Sequence, residues 1–250
     1  MVSSKSLRVG GVRVDRLCMS EALTSIEEFI KEGSSHRVVT VNVDYLRHAH
    51  GDPFFCAALD SADIAVADGM PLIWLSRLSH QPLPERIAGV DLADRCACLA
   101  AEKGYRLFLL GASEGIAEST AQILQERHPG LLVAGTYTPP LGEFSAEEQM
   151  RIDDAIVAAC PDILLVALPT PRQELWNHAN AARWNVPVVI GVGAAFDMLS
   201  GSIRRAPPWM QRTGLEWLFR LLREPRRLWK RYLIHDTAIL FRILVSRTVP

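Results

Sequence analysis

The chain has 250 residues, 49% of them hydrophobic, and 27 Lys and Arg against 28 Asp and Glu leave a formal net charge of −1. That length suits one large domain, or a domain with an appendage, around a sizeable core. No run of about 18 uncharged apolar residues reads as a spanning helix, and residues 1–20 lack the apolar stretch of a secretory leader. Five cysteines without a repeated spacing, Cys96 and Cys98 forming a single C-x-C, do not make a zinc pattern. Free thiols in a reducing cytoplasm are expected.

The near-zero net charge hides a split. Residues 204–250 hold eleven Arg and Lys against three Asp and Glu, so the rest of the chain is acidic by nine charges. A basic C-terminal element facing an anionic partner is the natural inference. We divide the chain on this basis into 1–203, an α/β core, and 204–250, a basic, Trp-rich helical appendage.

In chain order, residues 7–14 (LRVGGVRV) predict a small hairpin, and 20–31 an amphipathic helix with Ser20 as its N-cap. Apolar, mostly β-branched runs at 37–43, 63–67, 106–111, 131–137, 162–168 and 187–193 predict strands. Helical patterns at 92–103, 115–128, 145–159 and 172–184 lie between them, Asp91 being a candidate N-cap for the first. Such alternation predicts a Rossmann-like, mostly parallel sheet with helices on both faces. Ligands of such sheets bind at the carboxyl ends of the strands, which draws attention to polar groups there.

Thr40, Asn42 and Asp44 share one side of the first long strand. Either it is an edge strand, or Asp44 caps a following helix, or these groups line a site. Asp68-Gly69 ends the second strand and fits a simple turn as well as a catalytic placement. Arg86 sits on the proline-stiffened loop 81–91, as a surface side chain or a phosphate fork. Thr170, Pro171 and Gln173 match a capping box opening the helix at 172. Gly193 ends the last strand, where backbone could approach a phosphate. G-A-S-E-G (111–115) matches a hydrolase nucleophile elbow, giving a rival reading with Ser113 as nucleophile, Asp162 or Asp197 as acid and His235 as base. No D-x-D, phosphate loop or H-E-x-x-H occurs, so neither a metal nor a cofactor is expected.

The tail 205–233 alternates Leu215, Leu218, Leu221 and Leu222 with Arg220, Arg223, Arg226, Arg227, Lys230 and Arg231, and adds Trp209, Trp217 and Trp229. A nucleic-acid arm explains the charge but not the apolar stripe, and a core helix explains the stripe but not the charge. An interfacial helix on anionic lipid explains both, and no nucleic-acid partner is expected. A non-catalytic membrane adaptor would share this feature.

Taken together, TVNVD (40–44), ADG (67–69), ERIAGVD (85–91), PTPRQE (169–174), GVGAAFD (191–197) and the RAPPW…GLEWLFRLLREPRR block (205–227) resemble, in order, the WecG/TagA/CpsF glycosyltransferases. The resemblance implies an inverting, metal-independent transfer of a sugar, of N-acetylmannosamine or glucose type, from a UDP-sugar to an undecaprenyl-diphosphate-linked saccharide. The product would feed teichoic acid or other cell-surface polysaccharide synthesis. The setting would be peripheral, on the inner face of the cytoplasmic membrane, with a homo-oligomer left open. It implies Asp68 as general base and Thr40, Asn42, Arg86 and Gln173 as site residues; Arg86 and backbone N–H groups near Gly111 and Gly193 are expected to meet the charge on the departing UDP, with Asp91 also at the substrates. Arg212, Arg220, Arg223, Arg227 and Trp217 fall to the membrane or acceptor. Val43-Asp44 and Ala194-Ala195 depart from the pattern of many members and would bear on donor choice.

Overall fold

The computed structural model describes residues 6–78 and 82–246. Gln81, which opens the stiff loop singled out above, lies outside the described residues, as do 1–5 and 247–250.

The hairpin is present as β1 (Ser6–Val9) and β2 (Val12–Asp15), turned by Gly10 and Gly11 at positive φ. There follow α1 (Met19–Glu32), β3 (His36–Val41), α2 (Val43–Gly51), α3 (Pro53–Asp60), β4 (Ile64–Ala67), α4 (Met70–Ser76) and α5 (Gly89–Lys103). Next come β5 (Arg106–Gly111), α6 (Ile116–Arg127), β6 (Leu132–Tyr137), α7 (Ala146–Ala159), β7 (Ile163–Ala167), α8 (Arg172–Trp184), β8 (Val188–Gly191) and α9 (Ala195–Leu199). The tail adds α10 (Pro208–Thr213), α11 (Glu216–Arg223), α12 (Pro225–Trp229), a π-helical stretch Lys230–Asp236 and α13 (Thr237–Ser246).

Six strands form one parallel sheet in the order β4-β3-β8-β7-β5-β6. Because side chains alternate along a strand, each supplies both faces. Val38, Ile64, Leu107, Leu109, Leu165 and Ile190 pack on one side with α1, α5, α6 and α9. On the other side Val39, Val41, Ala65 and Ala67 meet the hairpin, α2, α3 and α4, while Phe108, Leu110, Leu164 and Val166 meet α7 and α8. Burial of each large apolar side chain contributes about 1.5–3 kcal/mol, so two full faces dominate the stability. The expected parallel α/β architecture with a helical C-terminal element is what the chain forms.

Local differences from the sequence reading have specific causes. β3 stops at Val41 because Asn42 turns out of the strand to cap α2, its side-chain oxygen accepting from Tyr45 N–H at 3.3 Å. Asp44 is therefore not the cap, and β3 lies inside the sheet rather than at its edge. Helix α1 starts before Ser20: Cys18 holds the cap position and Glu21 accepts its N–H at 2.8 Å. Helix α5 starts at Gly89, so Asp91 lies in its first turn and not at its cap. Thr170 does not cap α8, where Pro171 holds the cap position without a side-chain bond. Helices α3 and α4 occupy ground where no helix was expected, being short, whereas α2 is the helix that one reading of Asp44 placed after the first long strand.

The tail does not stand apart from the core. Ile239 and Ile243 of α13 are buried in the same cluster as the hairpin valines. Gly10 has no room for a side chain, because a Cβ there would fall 2.6 Å from Ile243 Cδ1. The π-helical stretch joins α12 to α13 without a break and buries Asp236.

Candidate active site

The loops after β3 and β8 leave toward opposite faces of the sheet, opening a crevice at the carboxyl ends of these neighbouring strands. Asp68 sits at its rim, immediately after β4. Its N–H donates to Val41 O at 2.7 Å, which extends the β3–β4 pairing by one residue and fixes the position of the side chain. The loop before α5 crosses the same end, where Ile87 N–H donates to Ala67 O at 2.8 Å. That crossing sets Arg86 and Gly89 beside Asp68.

Burial pushes the Asp68 carboxyl up to about 6; the Arg86 guanidinium, the Gly89 N–H and Arg220 favour the charged form, and Glu216 opposes it. A carboxylate in this range is still ionised at neutral pH, yet more basic than a solvated one. Arg86 and Met70 line a cavity of about 390 Å³ together with Glu85, Pro208, Gln211 and Arg212. Its walls thus come from both the core and the tail.

Arg86 is not a free fork. Its Nη1 donates to Glu216 of α11 at 2.7 Å, and Asp91 stands 4.0 Å from its Nη2. Arg205 donates to both carboxylate oxygens of Asp91 and to Glu216 Oε1 at 3.1 Å. Two arginines and two acids thereby make a lattice without net charge across the core–tail joint. Glu216 and Arg205 escaped the sequence reading. The available signal was that Glu216 is one of only three acids in an otherwise basic stretch.

Thr40 is buried, and its hydroxyl donates to Gly191 O at 2.9 Å, joining β3 to β8 at the crevice. Asn42 uses its oxygen as the α2 cap and remains partly exposed. Gln173 is 0% exposed. Its Oε1 accepts from Leu168 N–H at 3.1 Å and Gly193 N–H at 3.0 Å, and its Nε2 donates to Tyr45 Oη at 3.1 Å and Glu174 Oε1 at 2.6 Å. Every bonding position of the amide is filled within the protein, so Gln173 holds structure here and the Gly193 N–H is already engaged. Gly111, at φ +110, runs against the Ala167 carbonyl so closely that a Cβ would overlap it. Its role in this structure is strand packing beside the crevice.

The tail cations divide into two groups. Arg220 and Arg227 act on acids of the core: Arg220 on Asp68 and Asp197, and Arg227 on Asp197, whose carboxyl burial pushes up. Arg227 also pairs with Glu224 at 2.7 Å. Arg212 lines the cavity. Arg223 lies over the Phe219 ring, and Trp217 stands edge-on to Tyr232, both residues on the exposed surface. Ser113 is exposed in the turn before α6, and the residue there at positive φ is Ala112, not Ser113. Among the described residues Ser113 bonds no histidine, and His235 sits exposed in the π-helical stretch, so no hydrolase triad is assembled. No group of three or more His, Cys, Asp or Glu is placed to hold a metal among the described residues.

The structure thus places a carboxylate of raised pKa at one strand end of a parallel α/β sheet, with Arg86 and Arg220 acting on it and residues of the tail beside it. The family model of the glycosyl transferase WecG/TagA/CpsF family matches residues 7–250, and the chain belongs to that family. The chain is 33% identical over 205 residues to an N-acetylglucosaminyldiphosphoundecaprenol N-acetyl-beta-D-mannosaminyltransferase of Bacillus spizizenii, covering 82% of this chain and 77% of that protein. It is 28% identical over 223 residues to the Staphylococcus aureus MW2 protein of the same name, covering 88% and 84%. No helix among the described residues is long and apolar enough to cross a membrane.

Proposed function

We propose that the chain transfers an N-acetylmannosaminyl group from a UDP-sugar to an N-acetylglucosamine linked through diphosphate to undecaprenol, inverting the anomeric centre. The observation that carries this reading is the Asp68 carboxylate, raised to about 6 by burial and flanked by Arg86 and the Gly89 N–H at the crevice. Names of the similar proteins supply the sugar and the acceptor.

In the proposed step an acceptor hydroxyl attacks the anomeric carbon, its proton passes to Asp68, and the bond to UDP breaks. A sugar hydroxyl is a weak nucleophile near neutral pH, so a positioned base is worth roughly 10²–10⁴-fold. Negative charge grows on the departing diphosphate. Arg86, Arg212 and Arg220, which reach the cavity or the carboxylate, are the groups that meet it, in place of a metal. Arg86 must then exchange Glu216 for phosphate, a swap that the neighbouring Arg205 makes cheap by keeping Glu216 paired. Thr40 and Asn42 shape the crevice for the sugars. Functionally the chain divides near residue 203, with the tail acting as lid and as contact to the inner face of the cytoplasmic membrane.

The test is transfer to a lipid-diphosphate-linked N-acetylglucosamine with a panel of UDP-sugars, UDP-N-acetylmannosamine and UDP-glucose among them. Wild-type protein should use the first, and Asp68→Asn should lose turnover while UDP still raises its melting temperature. Near-full activity of Asp68→Asn sinks the assignment of the base, and use of UDP-glucose alone sinks that of the sugar.

A further inference from the structure

One buried cluster is larger than a structural need explains. Tyr45 of α2 and Gln173 and Glu174 of α8 converge under the end of β8. Glu174 is fully buried, and its Oε1 accepts from Tyr45 Oη at 2.6 Å as well as from Gln173 Nε2 at 2.6 Å. Its Oε2 is buried with no hydrogen-bond partner, and so is Nη1 of Arg37, whose guanidinium is the favourable charge acting on it. A fully buried carboxylate is costly, and a well-packed apolar residue in its place is often at least as stable. A cluster kept for stability alone would not need the acid.

The geometry gives it a task. Gln173 Oε1 must face two N–H donors, Leu168 and Gly193. With the amide turned over, an NH₂ group would face both donors at once. Glu174 accepts from Nε2 and so selects the working orientation. The same cluster sets the neighbouring backbone: a Cβ on Gly191 would fall 2.5 Å from Gln173 Nε2 and closer still to Glu174 Oε1. On its far side the turn meets Gly89, whose loop lies beside the base. A Cβ on Gly89 would lie 3.0 Å from Val192 O and 3.5 Å from Thr40 Oγ1, and Gly89 N–H bonds the Asp68 carboxylate.

We propose that Glu174 is a positioning residue for the transfer reaction: with Tyr45 it fixes the Gln173 amide, and through it the Gly191–Gly193 turn against the Gly89 loop that carries Asp68's hydrogen bond. The role in catalysis rests on the glycosyl-transfer reading above, but the role in holding the turn does not.

The test uses the full chain with Glu174→Gln, Glu174→Leu and Tyr45→Phe, and two independent readouts. The first is residue-resolved hydrogen exchange of the Leu168 and Gly193 amides, which needs no substrate. Glu174→Leu should lose protection at both amides while the amides of α5 and α8 keep theirs. Glu174→Gln, which still offers one oxygen to both donors, should retain most of it. The second is transfer kinetics. Glu174→Leu should lower kcat by about 10²-fold, the scale of a small misplacement of reacting groups, with a smaller change in the donor KM. Glu174→Gln should recover to within roughly 5-fold of wild type, and Tyr45→Phe, which removes one hydroxyl only, should fall between. Wild-type protection and kcat in Glu174→Leu overturn the proposal. If that variant does not fold, the same result in Tyr45→Phe does so. A wild-type chain that transfers no sugar overturns the transferase reading instead, and the exchange data then decide the positioning role by themselves.

Discussion

Asp68 combines burial with only partial compensation, and both its chemistry and its energetics follow. Its folded pKa of about 6 lies above the ordinary value of 3.8. The native state therefore binds a proton more tightly than the unfolded chain, and stability falls as pH rises from about 4 to about 6. Asp68→Asn should accordingly be the more stable protein at pH 8, by on the order of 1–2 kcal/mol after allowance for its partial exposure, with the gap closing toward pH 4 in thermal melts. Activity should run the other way, with kcat/KM of the wild type declining below about pH 6 as the base takes up a proton. The position of Asp68 was legible because a D-G pair directly after an apolar run marks a strand end. The pairing around its neighbour Arg86 was not. Glu216 meets Arg86 across 130 positions of sequence, and nothing local in either segment announces the pairing. Gln173 misled in the opposite direction: its spacing from Thr170 suggested a local cap, but its bonds go to Leu168, Gly193, Tyr45 and Glu174.

Among the elements, the six strands were readable because each is a short, mostly apolar run, buried almost throughout in all but the edge strand β6. The short helices were not. Helix α2 carries four charged or imidazole side chains among nine residues, and α4 has seven residues, too few for a period to show. These elements matter because α4 receives the tail. Gly214 turns between α10 and α11 at φ +78, and a Cβ there would fall 2.6 Å from Trp74 Cζ2 and 2.8 Å from Met70 Cγ. Gly214→Ala should cost about 1–3 kcal/mol in denaturant unfolding through overpacking. Glu216→Ala should act on the same joint through charge. With Arg86 and Arg205 both left short of an acid, the loss should be roughly 1–3 kcal/mol, read as faster proteolysis within α10–α11 while the sheet stays protected.

For the whole molecule, the tail packs on the core with one side and presents an exposed surface with the other. Its buried side, Leu228, Ile239 and Ile243, completes the core, which the sequence could not reveal because Gly10 and Ile243 meet from opposite ends of the chain. Its outer side exposes Leu233, Ile234, Phe241, Leu244 and Val245 beside Arg242 and Lys230, with Phe241 at 68% exposure. Deleting the tail would uncover core as well as remove this patch, so point substitutions are the cleaner probe. Phe241→Ser with Val245→Ser should weaken binding to anionic vesicles by about 10-fold or more without lowering the melting temperature, since two exposed apolar side chains account for at least 1.4 kcal/mol of burial in lipid. Unchanged vesicle binding would place the membrane contact elsewhere.

The π-helical stretch Lys230–Asp236 gives the tail a sense of phase. An α-helix advances about 100° per residue, and a π turn is the mark of one residue more than the α repeat accommodates. Whatever follows it is rotated as a body. Here the rotation decides which flank of α13 is dry, with Ile239 and Ile243, and which is wet, with Phe241 and Val245. Removing a single residue between 230 and 236 should turn α13 by about 100°, bringing Leu240 and Leu244 toward the places of Ile239 and Ile243, while leaving composition and charge almost untouched. The resulting chain should bind vesicles and unfold quite differently from one that lost a residue after position 246.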